Sequence, residues 1–128
     1  MGDRSAICIK QNNDTVIEIY SHWEGPNIIR ALPDALKVAQ ERCEDLSYFN
    51  RIVIQNILDS IANKESETGA GIRICNFENY NEMHLDNNAV FIFPKTRKII
   101  CHTYTFTFDE IINDEISIRK LWKIIQGE

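Results

Sequence analysis

Apolar residues alternate with other positions at two places near the start of the chain. Ile7 and Ile9 mark the run from Ser5 to Gln11, and Ile17 and Ile19 mark the run from Thr15 to Ser21. A period of two is that of a β-strand with one face toward a core. Asn12-Asn13-Asp14 between the runs is a turn cluster, so the pair predicts a hairpin. Ser21-His22-Trp23-Glu24-Gly25-Pro26 then reads as a loop ended by Gly and Pro. Beyond it Leu32, Leu36, Ala39, Cys43 and Leu46 recur at helical spacing, and Pro33 and Asp34 suit a first turn, which predicts a helix over 32–44. A second helix is expected over 47–63, with Ser47 as its cap and Phe49, Ile52, Val53, Ile57 and Ile61 as its apolar stripe.

The polar stretch Asn63 to Thr68 ends that helix, and Gly69-Ala70-Gly71 turns the chain into a strand, Ile72-Arg73-Ile74-Cys75, whose isoleucines are expected to face inward. Asn79 to Asn88 is a long polar loop suited to contact a ligand. Ala89 to Phe93 and Lys98 to Tyr104 read as two strands about the turn Pro94-Lys95-Thr96-Arg97. Thr107-Phe108-Asp109-Glu110 fits a capping box, and Ile118, Leu121, Trp122 and Ile125 repeat at helical spacing after it. The expected order is ββααβββαα. This describes an α+β fold: an antiparallel sheet of about five strands, two central helices packed on one face, and C-terminal helices, all in one compact domain over 1–128.

Composition changes this picture little. The chain has 128 residues, with 14 Lys+Arg against 19 Asp+Glu and a net charge of −5. That balance argues against a nonspecific nucleic-acid binder but allows a local basic pocket. No window approaches the roughly 18 consecutive apolar residues of a membrane span, and no apolar stretch follows the polar start, so a cytoplasmic protein without a membrane partner is expected. Gly2 does not complete a myristoylation signal, because position 6 is Ala6. Cys8, Cys43, Cys75 and Cys101 lie far apart with no CxxC pair. They read as buried thiols in a reducing compartment.

Signatures of catalysis and of cofactors are missing. Gly69-Ala70-Gly71 precedes a strand, so no helix N-terminus directs its amides at a phosphate. His22, His84 and His102 show no metal-site spacing. The densest cluster is Tyr20 to Gly25. There Trp23 could stack on a base while His22 bonds a phosphate or sugar hydroxyl; alternatively Trp23 plugs the core and His22 caps the next helix. Arg97, beside Lys95 and Lys98, could clamp phosphate or simply be solvated at a turn. Arg73, alternating with Ile72 and Ile74, should face away from the helices on a surface open to a ligand or a second subunit. Arg51, near Tyr48 and Gln55 on the second helix, could line a pocket or sit in a surface ion pair.

Five segments together carry a resemblance. Met1-Gly2-Asp3-Arg4 entering a strand, Ile19 to Gly25, Tyr48-Phe49-x-Arg51-Ile52, Glu67-Thr68-Gly69-x-Gly71-Ile72 and Phe106-x-Phe108-Asp109-Glu110 resemble, in this order, a family of small phage and prophage proteins. The chain is further similar to phage anti-defence sponges, the anti-Thoeris and anti-CBASS proteins that bind cyclic ADP-ribose isomers or cyclic oligonucleotides. That resemblance implies a homo-oligomer that sequesters a nucleotide-derived signal without turnover, and arginines with aromatic rings could supply such a pocket. The ligand residues expected are His22, Trp23, Arg73 and Arg97, with Tyr80 from the polar loop. Two other readings stand beside it. One is a protein-binding inhibitor or scaffold acting through Asp34, Glu41, Glu44 and Asp45; the other is a small nucleotide hydrolase using His22 or His102 as base near Glu24 or Glu67.

Overall fold

The computed structural model describes residues 3–62, 68–85 and 87–127. Six strands form one sheet: β1 (Ser5–Lys10), β2 (Thr15–Ser21), β3 (Ala70–Asn76), β4 (Val90–Phe93), β5 (Lys98–Cys101) and β6 (Tyr104–Thr107), in the spatial order β3-β2-β1-β4-β5-β6. The helices are α1 (Gly25–Arg30), α2 (Leu32–Ala39), α3 (Leu46–Asp59), α4 (Phe108–Asn113) and α5 (Glu115–Ile125), with a 3-10 turn over Gln40–Arg42 after α2 and another over Glu82–His84. The α+β class is as the sequence pattern predicts. Of the expected segments, Asn63 to Glu67 and Met1-Gly2 lie outside the described residues.

The sheet departs from the expected antiparallel five strands in two ways. A sixth strand, β6, follows a turn at His102-Thr103, where His102 adopts φ 56°. Moreover, β4 runs parallel to β1, pairing Val90 with Ile7 and Ile92 with Ile9. The cause is the connection: β3 ends at Asn76 opposite Thr15, and the chain must travel back along the sheet before β4 starts opposite Ile7. A tight turn would give the antiparallel arrangement; a long return path gives the parallel one.

Residue parity divides the sheet into two faces. Ile7, Ile9, Ile19, Val90, Ile92, Ile99, Cys101 and Phe106 meet Leu32, Leu36, Phe49, Val53, Ile57, Leu121 and Ile125 of the helices in the main core. Phe49 and Phe108 stack with ring centroids 6.2 Å apart, tying α3 to α4. Ala6, Cys8 and Val16 point to the other face, where Phe77, Tyr80, Leu85 and Phe91 cover them. As the central strand, β1 is buried on both sides from Ser5 to Ile9.

Helix ends also differ from expectation. The segment Gly25–Arg30 is helical rather than part of the loop, because Pro26 occupies its first turn, where a missing N–H costs nothing. Gly25 is required there by close approach: its N–H donates to Asp3 O at 2.9 Å, and a Cβ would fall 2.2 Å from that oxygen. The next helix begins at Leu32 and gives way to the 3-10 turn after Ala39, and Ser47 sits inside α3, donating to Asp45 rather than capping the helix. The capping box forms as expected, with Glu110 N–H donating to Thr107 Oγ1 at 3.1 Å and Thr107 N–H donating to Glu110 Oε1 at 2.8 Å.

Candidate functional site

The segment 77–85 is a strap laid across the second face of the sheet. Phe77 N–H donates to Asp14 O at 3.0 Å, and Phe77 packs edge-on against Phe91 and Phe93. Asn88 N–H donates to Ile125 O at 2.8 Å, and Asn87 Nδ2 donates to Arg4 O at 2.8 Å, so the far end is also fastened. Between these anchors the strap lowers Tyr80 and His84 onto β2 and β3.

They meet Glu18, whose side chain is only 1% exposed. Its strand position makes this unavoidable: Ile17 and Ile19 alternate toward the helices, so Glu18 points to the face under the strap. Arg73, its cross-strand partner, donates from Nε to Glu18 Oε1 at 2.6 Å and from Nη2 to Oε2 at 3.4 Å. Tyr80 OH donates to Oε2, and His84 Nε2 lies 2.8 Å from the same oxygen. Burial alone would raise the Glu18 pKa. The hydrogen bonds from Arg73, Tyr80 and His84 outweigh it, and the carboxyl lies below its ordinary value. The Tyr80 hydroxyl is pushed up, first by burial and then by its acidic surroundings, so it stays a donor. His84 Nε2 also lies 3.1 Å from Arg73 Nη2. One ring nitrogen cannot donate to the carboxylate and accept from the guanidinium at once, so the tautomer selects between the two contacts.

An aromatic row extends from this cluster. Tyr20 approaches His84 with centroids 5.7 Å apart, Tyr20 OH lies 3.1 Å from His22 Nδ1, and His22 packs edge-on to Trp23 at 4.8 Å. Trp23 is 51% exposed, which removes the reading of it as a core plug. Nor does His22 cap α1; Ser21 Oγ accepts from Glu24 N–H at 2.8 Å instead. Gly69 lies under the indole, and a Cβ there would fall 2.5 Å from the Trp23 ring. Tyr20, His22, Trp23 and residues 68–71 at the start of β3 line a shallow cavity of about 470 Å³. Arg73, Tyr80, Met83 and His84 line another of about 630 Å³.

The structure therefore brings Arg73 and Tyr80 together on the Glu18 carboxylate, and joins His22 and Trp23 to them through His84 and Tyr20. Arg97 is elsewhere. It occupies the β4–β5 turn with φ 57° and lines a cavity with Lys10, Cys43 and Lys95 at the opposite end of the sheet. Ile72 and Ile74, expected to face inward, do lie on the helix side, but on an edge strand that the helices do not cover; they are 49% and 74% exposed. Asp34, Glu41, Glu44 and Asp45 are exposed but interleaved with exposed Lys37 and Arg42. Arg51 donates to Gln55 at 2.7 Å on the surface of α3. Of the general-base pairs, His22 faces Tyr20, Glu24 accepts from Asn27, and Glu67 is outside the described residues.

The sequence reading gave no binding role to Glu18, Tyr20 or His84. Glu18 had a signal: a carboxylate in mid-strand, flanked by Ile17 and Ile19, belongs to the face opposite theirs. Among the described residues no group of three or more His, Cys, Asp or Glu side chains is placed to hold a metal ion. No described helix is long and apolar enough to cross a membrane. Cys8, Cys43, Cys75 and Cys101 are free thiols, Cys75 being the least covered. Comparison with protein-family models, curated proteins and solved structures gives no match.

Proposed function

We propose that this protein binds a nucleotide-derived small molecule and holds it without chemical change. In the setting that its resemblance to phage proteins suggests, it would sequester a cyclic ADP-ribose isomer or a cyclic oligonucleotide used as an immune signal. The observation that carries this reading is the half-exposed Trp23 at one end of an aromatic row whose other end is Arg73. An exposed indole offers a stacking face to a base. The Arg73 side chain is 56% exposed and engages Glu18 through Nε and Nη2, which leaves Nη1 directed away from that pair to meet phosphate.

What Tyr80 and Glu18 are already doing supports retention without turnover. Tyr80 is held protonated, and Glu18 is buried beneath Arg73, Tyr80 and His84, so neither is offered to a substrate as a base. Binding is tested by titrating cyclic dinucleotides, cyclic trinucleotides, ADP-ribose and its cyclic isomers against Trp23 fluorescence in a Trp122→Phe background. Saturable quenching that Arg73→Met weakens at least tenfold supports the reading. Absence of quenching by the whole panel refutes it.

A further inference from the structure

The two edges of the sheet are not alike. Strand β6 spans only four residues, exposes Thr105 and Thr107, and runs straight into α4. Strand β3 spans seven residues, all in register with β2, and contains neither proline nor lysine. Natural edge strands are commonly blunted by shortness, charge or bulges, and β3 has none of these on its helix-side face.

The direction of its outward main-chain groups follows from its ends. His22 N–H donates to Gly69 O at 2.8 Å and Phe77 N–H donates to Asp14 O at 3.0 Å, so the odd-numbered positions of this strand bond to β2. In an antiparallel ladder such groups alternate, so those of Ala70, Ile72, Ile74 and Asn76 aim at the edge that no other described strand pairs with.

We infer that β3 pairs antiparallel with β3 of a second copy about a twofold axis at Arg73, joining two six-stranded sheets into one. The occupant is a second copy because the strand complements itself in this register. Ile72 falls opposite Ile74 of the other copy, and both positions present outward main-chain groups. Within one chain Ile7 pairs with Ile19 and Ile19 with Ile72, while Ile9 pairs with Ile17 and Ile17 with Ile74. The dimer connects these two rows into an unbroken isoleucine ladder across the axis, covering the exposed faces of Ile72 and Ile74. On the opposite face Arg73 meets Arg73 of the other copy. Each guanidinium is already paired with its own Glu18 at 2.6 Å, so the row of four carries no net charge. The cavity lined by Arg73 to Asn76 lies along this same edge, which would set two such cavities side by side. The inference does not depend on the ligand reading.

Sedimentation velocity over a concentration series, with residue-resolved amide exchange by NMR, tests it on the wild-type chain. The expected mass is twice 14.9 kDa, with the Ile72 and Ile74 amides exchanging as slowly as that of Arg73. In Ile74→Lys the mass falls to that of one chain and the Ile72 amide exchanges fast, while far-UV circular dichroism and Arg73 protection are unchanged. A wild-type monomer at every concentration, or a dimer whose Ile72 and Ile74 amides exchange freely, overturns the inference. The wild-type exchange data decide the matter even if the variant fails to fold.

Discussion

Arg73 and Glu18 face each other across β2 and β3 with Nε 2.6 Å from Oε1, and the carboxylate is buried while the guanidinium is more than half exposed. Such a pair is asymmetric. Removing Arg73 strands a buried charge, whereas replacing both partners by apolar groups removes the desolvation problem. Arg73→Met is expected to cost about 1–2 kcal/mol in urea unfolding, limited by the exposure of Arg73 and by the bonds Tyr80 and His84 retain. Glu18→Leu combined with Arg73→Met should recover part of that loss. Equal stability of Arg73→Met and wild type would show that the pair does not stabilise the β2–β3 junction.

The same carboxylate sets an acid limit. Its folded pKa lies below the ordinary 4.5, so the unfolded chain binds more protons in that range. The stabilisation is therefore complete above the ordinary value and is lost as pH falls through it toward the folded value. Glu18→Gln should flatten the acid limb of a stability–pH curve measured by chemical denaturation. An unchanged limb would contradict the assignment.

Trp23 and Phe49 should respond differently to truncation. Phe49 is fully buried, and Phe49→Ala is expected to cost about 3–5 kcal/mol. Trp23→Ala should cost about 1 kcal/mol, since half of the indole is already in water, and should leave the circular dichroism spectrum intact. Gly69→Val should displace the indole without unfolding the chain and shift its emission in the Trp122→Phe background.

Thiol chemistry gives an independent check on the strap. Burial pushes the Cys101 thiol up to about 12 and raises that of Cys8 as well. Cys75, at the edge strand, is the least covered. Maleimide labelling followed by peptide mapping should modify Cys75 first, and Cys8 only when the strap opens. Early labelling of Cys8 would mean that 77–85 does not lie over β1.

Much of the fold was legible because each element carries its own period. The alternation about Ile17 and Ile19 placed β2, the Phe49-to-Ile61 stripe placed α3, and Thr107 with Glu110 placed the start of α4. The parallel pairing of β1 with β4 was not legible, since it depends on where the strap crosses rather than on any local pattern. The site divided in the same way. Arg73 could be assigned to the face away from the helices by parity, and Tyr80 drew notice as an aromatic in a polar loop. Their convergence on Glu18 is long-range, and so is the separation of Arg97, which its cationic neighbours made attractive.

The central claim is ligand retention at the Trp23–Arg73 row. Thermal denaturation with each nucleotide of the panel, followed by chromatography of what the heated protein releases, tests it most directly. A true ligand at about 100 times its dissociation constant adds about 2.7 kcal/mol, a shift of several degrees. The account predicts such a shift for at least one cyclic nucleotide or ADP-ribose isomer, its loss in Trp23→Ala, and release of the ligand intact. No shift with any member, or release of an altered ligand, would contradict it.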